Sequence, residues 1–268
     1  MPKAREARAV ALARLYDLDL AEDPGDLGLY LGLAARTGGP VVELGVGTGR
    51  LAVPLATAGY DVVGIDADLA MLDRARRRAT EAGSDVAARV RLHRGDMLAA
   101  TPADLGEGLA GGARLAVLGL NTILLLASAD RQRAAVAAMA ALLSPGGLAV
   151  VDAWLPGAED LETFDSRISL DWLRTDPETG REVAKLSAAW YDDASRTVTL
   201  TTFFDEAEAG GSVTRWTRTD ELRFVTPDEL RTFAEAAGLE VELIAGDHEL
   251  GPIGSESERV VMVAAKPR

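Results

Sequence analysis

In the stretch VVELGVGTGR, Gly45, Gly47 and Gly49 alternate directly after a short apolar run that carries Glu43. Glycines at that spacing allow a turn tight enough to bring backbone N–H groups against a ligand, with no Cβ in the way. The dinucleotide fingerprint GxGxxG would need its third glycine where Arg50 stands, and the GK[ST] ending of a triphosphate-binding loop is absent. A ligand without phosphates fits this turn better. Glu43 can accept hydrogen bonds from an ammonium group, or orient the turn through backbone N–H groups. Asp66, in GIDAD, ends a second apolar run and suits both hydroxyls of a ribose; it also suits the N-cap of the segment that follows. Asp96, in GDM after a third run, can accept from an exocyclic adenine amine while Met97 packs on the ring, or it can simply end a strand. The acids recur at the ends of successive apolar runs, which is where open α/β sheets bind ligands.

The runs that must position these residues are VVELG, DVVGID, VRLHRGD, ARLAVLGL and GLAVVDAW, and most segments between them have helical period, as in LAMLDRARRRATEAG and RQRAAVAAMAALLSPGG. Strands alternating with helices predict a doubly wound, mostly parallel α/β sheet. Two helices precede it, joined by the turn-rich link AEDPGDLG. From about Ile168 the rhythm changes to ISLDWLRT, REVAKLSAAWY, RTVTLTTFF and SVTRWTRTDELRFV, separated by DPETG, DDAS and EAEAGG; this predicts an antiparallel β meander after the fifth strand. TPDELRTFAEAAG then starts a helix with Thr226 as cap, Pro227 at its first position and Glu229 completing a capping box. LEVELIAG and RVVMVAAK are the last two strand-like runs.

VVELGVGTGR, VVGIDADLAML, RLHRGDML and LLSPGGLAVVDAW, in this order and spacing, resemble the motifs of class I S-adenosylmethionine-dependent methyltransferases over residues 38–155. The tail, from FVTPDELRTFAEAAGLEVE to SESERVVMVAAK, looks like that family's last helix and final strands. YDLDL and the meander are similar to bacterial small-molecule members that act on amino groups of sugars or of glycine. The resemblance implies a Rossmann-like sheet of seven strands, the last running antiparallel, and S-adenosyl-L-methionine as cofactor. It also implies methyl transfer to N or O, less readily C, of a small molecule. Binding the same cofactor without transfer, or nicotinamide oxidoreduction, are the alternatives.

Carried over by position, the resemblance puts Gly45, Gly47 and Gly49 beneath the methionine part of the cofactor and Glu43 at its amino group. Asp66 takes the ribose, Ala67 and Met71 lie beside the adenine, and Asp96 and Met97 flank it. Leu120 and Asn121 face the methyl group, and Tyr16 matches a tyrosine that some members bring over the cofactor, or is an ordinary core or surface residue. The expected domains are 1–37, helices covering the cofactor site; 38–155 with 226–268, the binding core; and 156–225, a lid or dimer contact.

The chain has 268 residues, is 48% hydrophobic, lacks cysteine and carries a net charge of -14. That charge repels phosphate backbones, and the cluster Arg74, Arg76, Arg77 and Arg78 reads as a solvated helical face, so nucleic acid is not the expected partner. No segment reads as a membrane span or a secretory signal, which makes cytoplasm the default expectation. No metal site is expected, and a homodimer is compatible with the aromatics of the meander, Trp172, Trp190, Tyr191, Phe203, Phe204 and Trp216. The two histidines shorten the search for a base. His93 reads as a strand residue, while His248, in the loop GDHELGPIGSESER, can reach the mouth of the site and meet the acceptor, or be a plain loop residue. Trp154, at the end of the fifth strand, is the candidate wall of the acceptor pocket or a core residue.

Overall fold

The computed structural model describes residues 2–22, 24–109, 111–208 and 210–268. Met1 of the predicted first helix, Asp23 of the predicted link and Ala209 of the third predicted turn lie outside the described residues. In chain order the strands are β1 (Val41–Leu44), β2 (Val62–Asp66), β3 (Val90–Arg94), β4 (Ala113–Leu118), β5 (Leu143–Trp154), β6 (Ser169–Thr175), β7 (Glu182–Asp192), β8 (Thr197–Ala207), β9 (Val213–Arg223), β10 (Glu240–Ala245) and β11 (Arg259–Ala265). The helices are α1 (Pro2–Asp19), α2 (Leu27–Thr37), α3 (Ala52–Thr57), α4 (Leu69–Glu81), α5 (Ser84–Arg89), α6 (Ala129–Leu142), α7 (Ala158–Glu162) and α8 (Pro227–Ala236).

The chain divides into two compact units, Pro24–Leu155 with Val225–Arg268, and residues 1–23 with 156–224. The expected boundary at 37/38 set both N-terminal helices together. In the structure α2 belongs with the sheet, because Leu29, Tyr30, Leu33 and Ala34 are buried among Val41, Val117, Val150 and Val261. Burying each of those leucines is worth about 1.5 to 3 kcal/mol.

The larger unit is a seven-stranded sheet of order β10-β11-β5-β4-β1-β2-β3. Its neighbours run parallel except β11, which is antiparallel to both β5 and β10. This is the sheet the resemblance implies. Strand order reverses between β1 and β4, so the crevice for a ligand opens beyond the carboxyl ends of those two strands. Register sets Glu43 beside Val117 and Val117 beside Val150, with Asp152 two residues further along β5 and opposite Val261. Because side chains alternate, Glu43 and Asp152 point to the same face as Val41, Val117 and Val150, the face that α2 covers.

Sequence periodicity starts the fifth strand at Gly147, yet β5 begins at Leu143 and loops out SPGG opposite Arg114. Pro145 cannot continue the ladder and Gly146 sits at φ +76°, so the strand resumes pairing only at Leu148. On α8, Thr226 accepts from the Glu229 N–H at 3.2 Å while Glu229 accepts from the Thr226 N–H at 3.0 Å, the predicted capping box.

The second unit is a four-stranded meander of order β6-β7-β8-β9. Leu15 and Leu18 of α1 pack with Val183 and Phe204 of this sheet. Asp19 fixes the helix end by accepting from Trp172 Nε1 at 2.9 Å and Lys185 Nζ at 2.8 Å. No helix among the described residues is long and apolar enough to cross a membrane.

Candidate active site

Three separate segments converge on the glycine turn. A Cβ on Gly45 would stand 2.5 Å from Cγ2 of Thr122, just after β4, and 3.5 Å from Cε of Met97, just after β3. The turn itself hangs from β2, with the N–H groups of Gly45 and Val46 donating to Ile65 O at 2.8 and 3.0 Å. Gly47 adopts φ +54° and has nothing within 4 Å of where a Cβ would be, so its backbone borders open space. Gly64, which the sequence reading passed over, matters to the same packing. A Cβ there would meet Val46 at 2.6 Å.

Asp66 accepts from the N–H of Gly47 at 2.9 Å through one oxygen and from the N–H of Asp68 at 2.9 Å through the other. The helix cap is Asp68, which accepts from the Ala70 N–H at 2.8 Å. Asp66 is therefore not the N-cap of α4. Burial raises its pKa, against the hydrogen bonds from Asp68 and Gly47 that lower it. A carboxylate offers about four acceptor positions, so Asp66 keeps capacity for a ligand hydroxyl beyond its backbone bonds. Asp96 is exposed and caps the short turn Met97–Ala99, accepting from the Leu98 N–H at 3.0 Å. Ala67 is exposed, while Met71 and Met97 are half-buried.

Glu43 is 5% exposed, and its Oε2 has no hydrogen-bond partner among the described residues. Burial pushes its pKa up to about 8, with the nearby Arg50 guanidinium acting in the opposite sense. An orphaned carboxylate oxygen under a glycine turn is costly unless a ligand completes it. Beside it runs a seam of polar groups that the sequence reading missed. Arg50 makes a bidentate ion pair with Asp26, both bonds 2.6 Å long, and Asp26 is fully buried just ahead of α2.

Asp152, also fully buried, accepts through Oδ1 from Arg259 Nε at 2.8 Å and Nη2 at 2.6 Å. Its Oδ2 lies 3.3 Å from both the Tyr30 hydroxyl and His248 Nε2. Burial raises the Asp152 pKa, but His248 and Arg259 outweigh it and hold the carboxyl below its usual range. Tyr30 is pushed well above its ordinary pKa by burial and then by Asp152, so its hydroxyl donates. Gly119 makes room for this, since a Cβ there would be 3.1 Å from the Tyr30 oxygen.

At the end of β4, Leu120 and Asn121 adopt φ of 38° and 67°, a left-handed pair uncommon outside glycine and a mark of stored strain. Asn121 Oδ1 accepts from the Trp154 N–H at 2.6 Å and its N–H donates to Asp152 O at 3.1 Å, which ties the ends of β4 and β5 together. Trp154 is half-buried there. His93 lies half-buried on the edge strand β3, paired with Ile65. Tyr16 is half-buried on α1, in the unit that holds the meander.

A family model described as a methyltransferase domain matches residues 41–147. The chain is also similar to the CcbJ methyltransferase of Streptomyces caelestis, with 28% identity, a TM-score of 0.74 and coverage of 91% of this chain and 96% of that one. Residues 41–147 are thus a methyltransferase domain, in a chain with the fold of S-adenosylmethionine-dependent methyltransferases. The fold recurs in an amino pentose methyltransferase from Micromonospora echinaspora, at 24% identity, TM-score 0.67 and coverage of 94% and 96%. It recurs again in an S-adenosylmethionine-dependent methyltransferase from Clostridium acetobutylicum, at 14% identity, TM-score 0.74 and coverage of 96% and 98%. No curated protein matches this methyltransferase by sequence. With a methyltransferase domain over the glycine turn, the nicotinamide alternative lapses, in keeping with Arg50 where that fingerprint needs glycine.

The residues fit the cofactor of this methyltransferase on two observations. Glu43 presents a buried oxygen lacking a donor, which an ammonium supplies, and Gly47 leaves its face of the turn open. Asp66→Ala is expected to weaken S-adenosylmethionine binding by about 1 to 3 kcal/mol, because ribose hydroxyls lose their acceptor. Calorimetric titration checks this, and an unchanged affinity removes Asp66 from the site.

Proposed function

We propose that this methyltransferase moves a methyl group to the nitrogen of a small amine, with an oxygen acceptor as the second reading. The observation that carries an acceptor which must lose a proton is the pairing of His248 with the buried Asp152, a proton acceptor next to the strand ends where the ligand crevice opens. The net charge of -14 and the loop acids Asp247, Glu249, Glu256 and Glu258 favour a cationic acceptor over an anionic one.

When bound, S-adenosylmethionine supplies a methyl group on a positively charged sulfur, which leaves as a neutral thioether. In this reading Glu43 takes the amino group over Gly45, Gly47 and Gly49, and Asp66 takes the ribose. Ala67, Met71, Asp96 and Met97 surround the adenine, and Leu120 and Asn121 face the methyl group. Trp154 walls the acceptor pocket and His248 meets the acceptor. Alignment of this kind can supply roughly 7 to 11 kcal/mol of the barrier. The meander serves as lid or subunit contact, consistent with its exposed Ile168, Leu170, Leu173 and Trp190. The expected setting is the cytoplasm, and the exposed apolar residues of the meander are compatible with a homodimer.

Transfer of labelled methyl from S-adenosylmethionine across a panel of amines, phenols and carboxylates tests the assignment. Amino sugars and glycine-like amines are expected to take the label. Label on oxygen alone, or no transfer by protein that binds the cofactor, overturns the amine reading.

A further inference from the structure

We propose that His248 is the general base that takes the proton from the acceptor's ammonium group, with Asp152 as its positioning residue. The inference rests on the amine reading above and gives it an atom. Asp152 is fully buried, and its oxygens are divided between partners. Oδ1 is committed to the Arg259 guanidinium, while Oδ2 faces His248 Nε2 and the Tyr30 hydroxyl, each at 3.3 Å. A carboxyl held below its usual range is a pure acceptor at neutral pH, so Nε2 must carry the ring proton of the neutral imidazole. That assignment leaves a bare lone pair on Nδ1. No described residue donates to Nδ1, and the side chain is 9% exposed, so the ring is firmly held by its Nε2 contact.

The ring meets Asp152 from β5, which also holds Arg259 from β11 and Tyr30 from α2, and Asp247 and Glu249 flank His248 in its own loop. Asp247 is engaged locally, accepting from the Gly251 N–H at 2.8 Å. Arg259 balances the charge of Asp152 in the resting state, and the carboxylate is in place to stabilise the imidazolium once it forms. The proposed step breaks one N–H bond of the acceptor's ammonium and forms Nδ1–H on His248. The freed lone pair makes the new N–C bond as the C–S bond breaks, with that pair staying on sulfur. The imidazolium then returns its proton to water, and the product leaves as the methylated ammonium.

Two measurements test this. The first needs no acceptor and uses sinefungin, the cofactor analogue with an amine in place of the methylated sulfur. With only two histidines, His93→Gln assigns the His248 ring signals by NMR. Sinefungin is expected to move the His248 signals, and to move them more than S-adenosylhomocysteine does. If both compounds bind by calorimetry and neither moves them, the proposal falls; if neither binds, it is the cofactor-site reading that fails.

The second uses the best amine of the panel above. His248→Gln is expected to lower kcat by about 10² to 10⁴ at pH 7 with the KM for S-adenosylmethionine unchanged. The deficit should shrink as rising pH frees the amine unaided, and Asp152→Asn should show the same pH dependence. Equal kcat at pH 7, or a deficit that is the same at every pH, overturns the role of base.

Discussion

Arg50→Met is expected to cost about 3 to 5 kcal/mol of folding stability, although the substitution changes one partly exposed side chain. Its partner Asp26 is 0% exposed, and the guanidinium meets both carboxylate oxygens at 2.6 Å. Removing the cation strands a carboxylate that water cannot reach, and the cost of that isolation exceeds the net worth of the pair itself. The pair also ties the start of α2 to the glycine turn, since Asp26 precedes α2 and Arg50 directly follows the turn. Urea unfolding of Arg50→Met, Asp26→Asn and the double variant separates these contributions. The double variant should recover most of the loss, because neither buried charge is left alone. A single variant within 1 kcal/mol of the parent would mean that Asp26 finds another partner.

Arg50 also shows where sequence reasoning stopped. As a letter in a motif it counted only against the dinucleotide fingerprint, because nothing nearby in the chain announces Asp26. Asp152, Arg259, His248 and Tyr30 meet only through the register of β5 with β11 and the docking of α2, which local periodicity does not encode. One signal was available. Glu43 in VVEL and Asp152 in AVVDAW are acids inside strands apolar on both faces, and such residues are buried only with partners or for function. The elements themselves were legible because their causes are local: alternation for the meander, helical period for α4 and α6, and the Thr226 capping box for α8. The start of β5 was not, since SPGG reads as a break and only pairing with β4 restores the strand around it. Nor was the allegiance of α1, which is fixed by Asp19 reaching Trp172 and Lys185, more than 150 residues away.

Glu43→Gln should move stability and affinity in opposite directions. In the folded chain burial raises the carboxyl pKa from its ordinary 4.5 to about 8, so the folded state holds its proton more tightly than the unfolded state does. Where the folded state binds more protons, stability falls with rising pH. The cost is absent below about pH 4.5, grows between 4.5 and 8, and is complete above 8. At about 1.36 kcal/mol per unit it reaches roughly 3 to 5 kcal/mol. A neutral amide escapes it, so Glu43→Gln is expected to be about 1 to 3 kcal/mol more stable than the parent at pH 9 and no more stable at pH 4.5. Cofactor binding reverses the ranking. An ammonium beside Oε2 favours the carboxylate, so at pH 7 the parent should release a proton on binding, seen as a binding heat that differs between two buffers of different ionisation enthalpy. Glu43→Gln should show weaker binding and lose that difference. A parent whose binding heat is the same in both buffers would mean that Glu43 does not receive the amino group. If its stability were also flat between pH 5 and 8, the buried oxygen would have a partner in solution, and its orphaned state could not be what draws the cofactor into the turn.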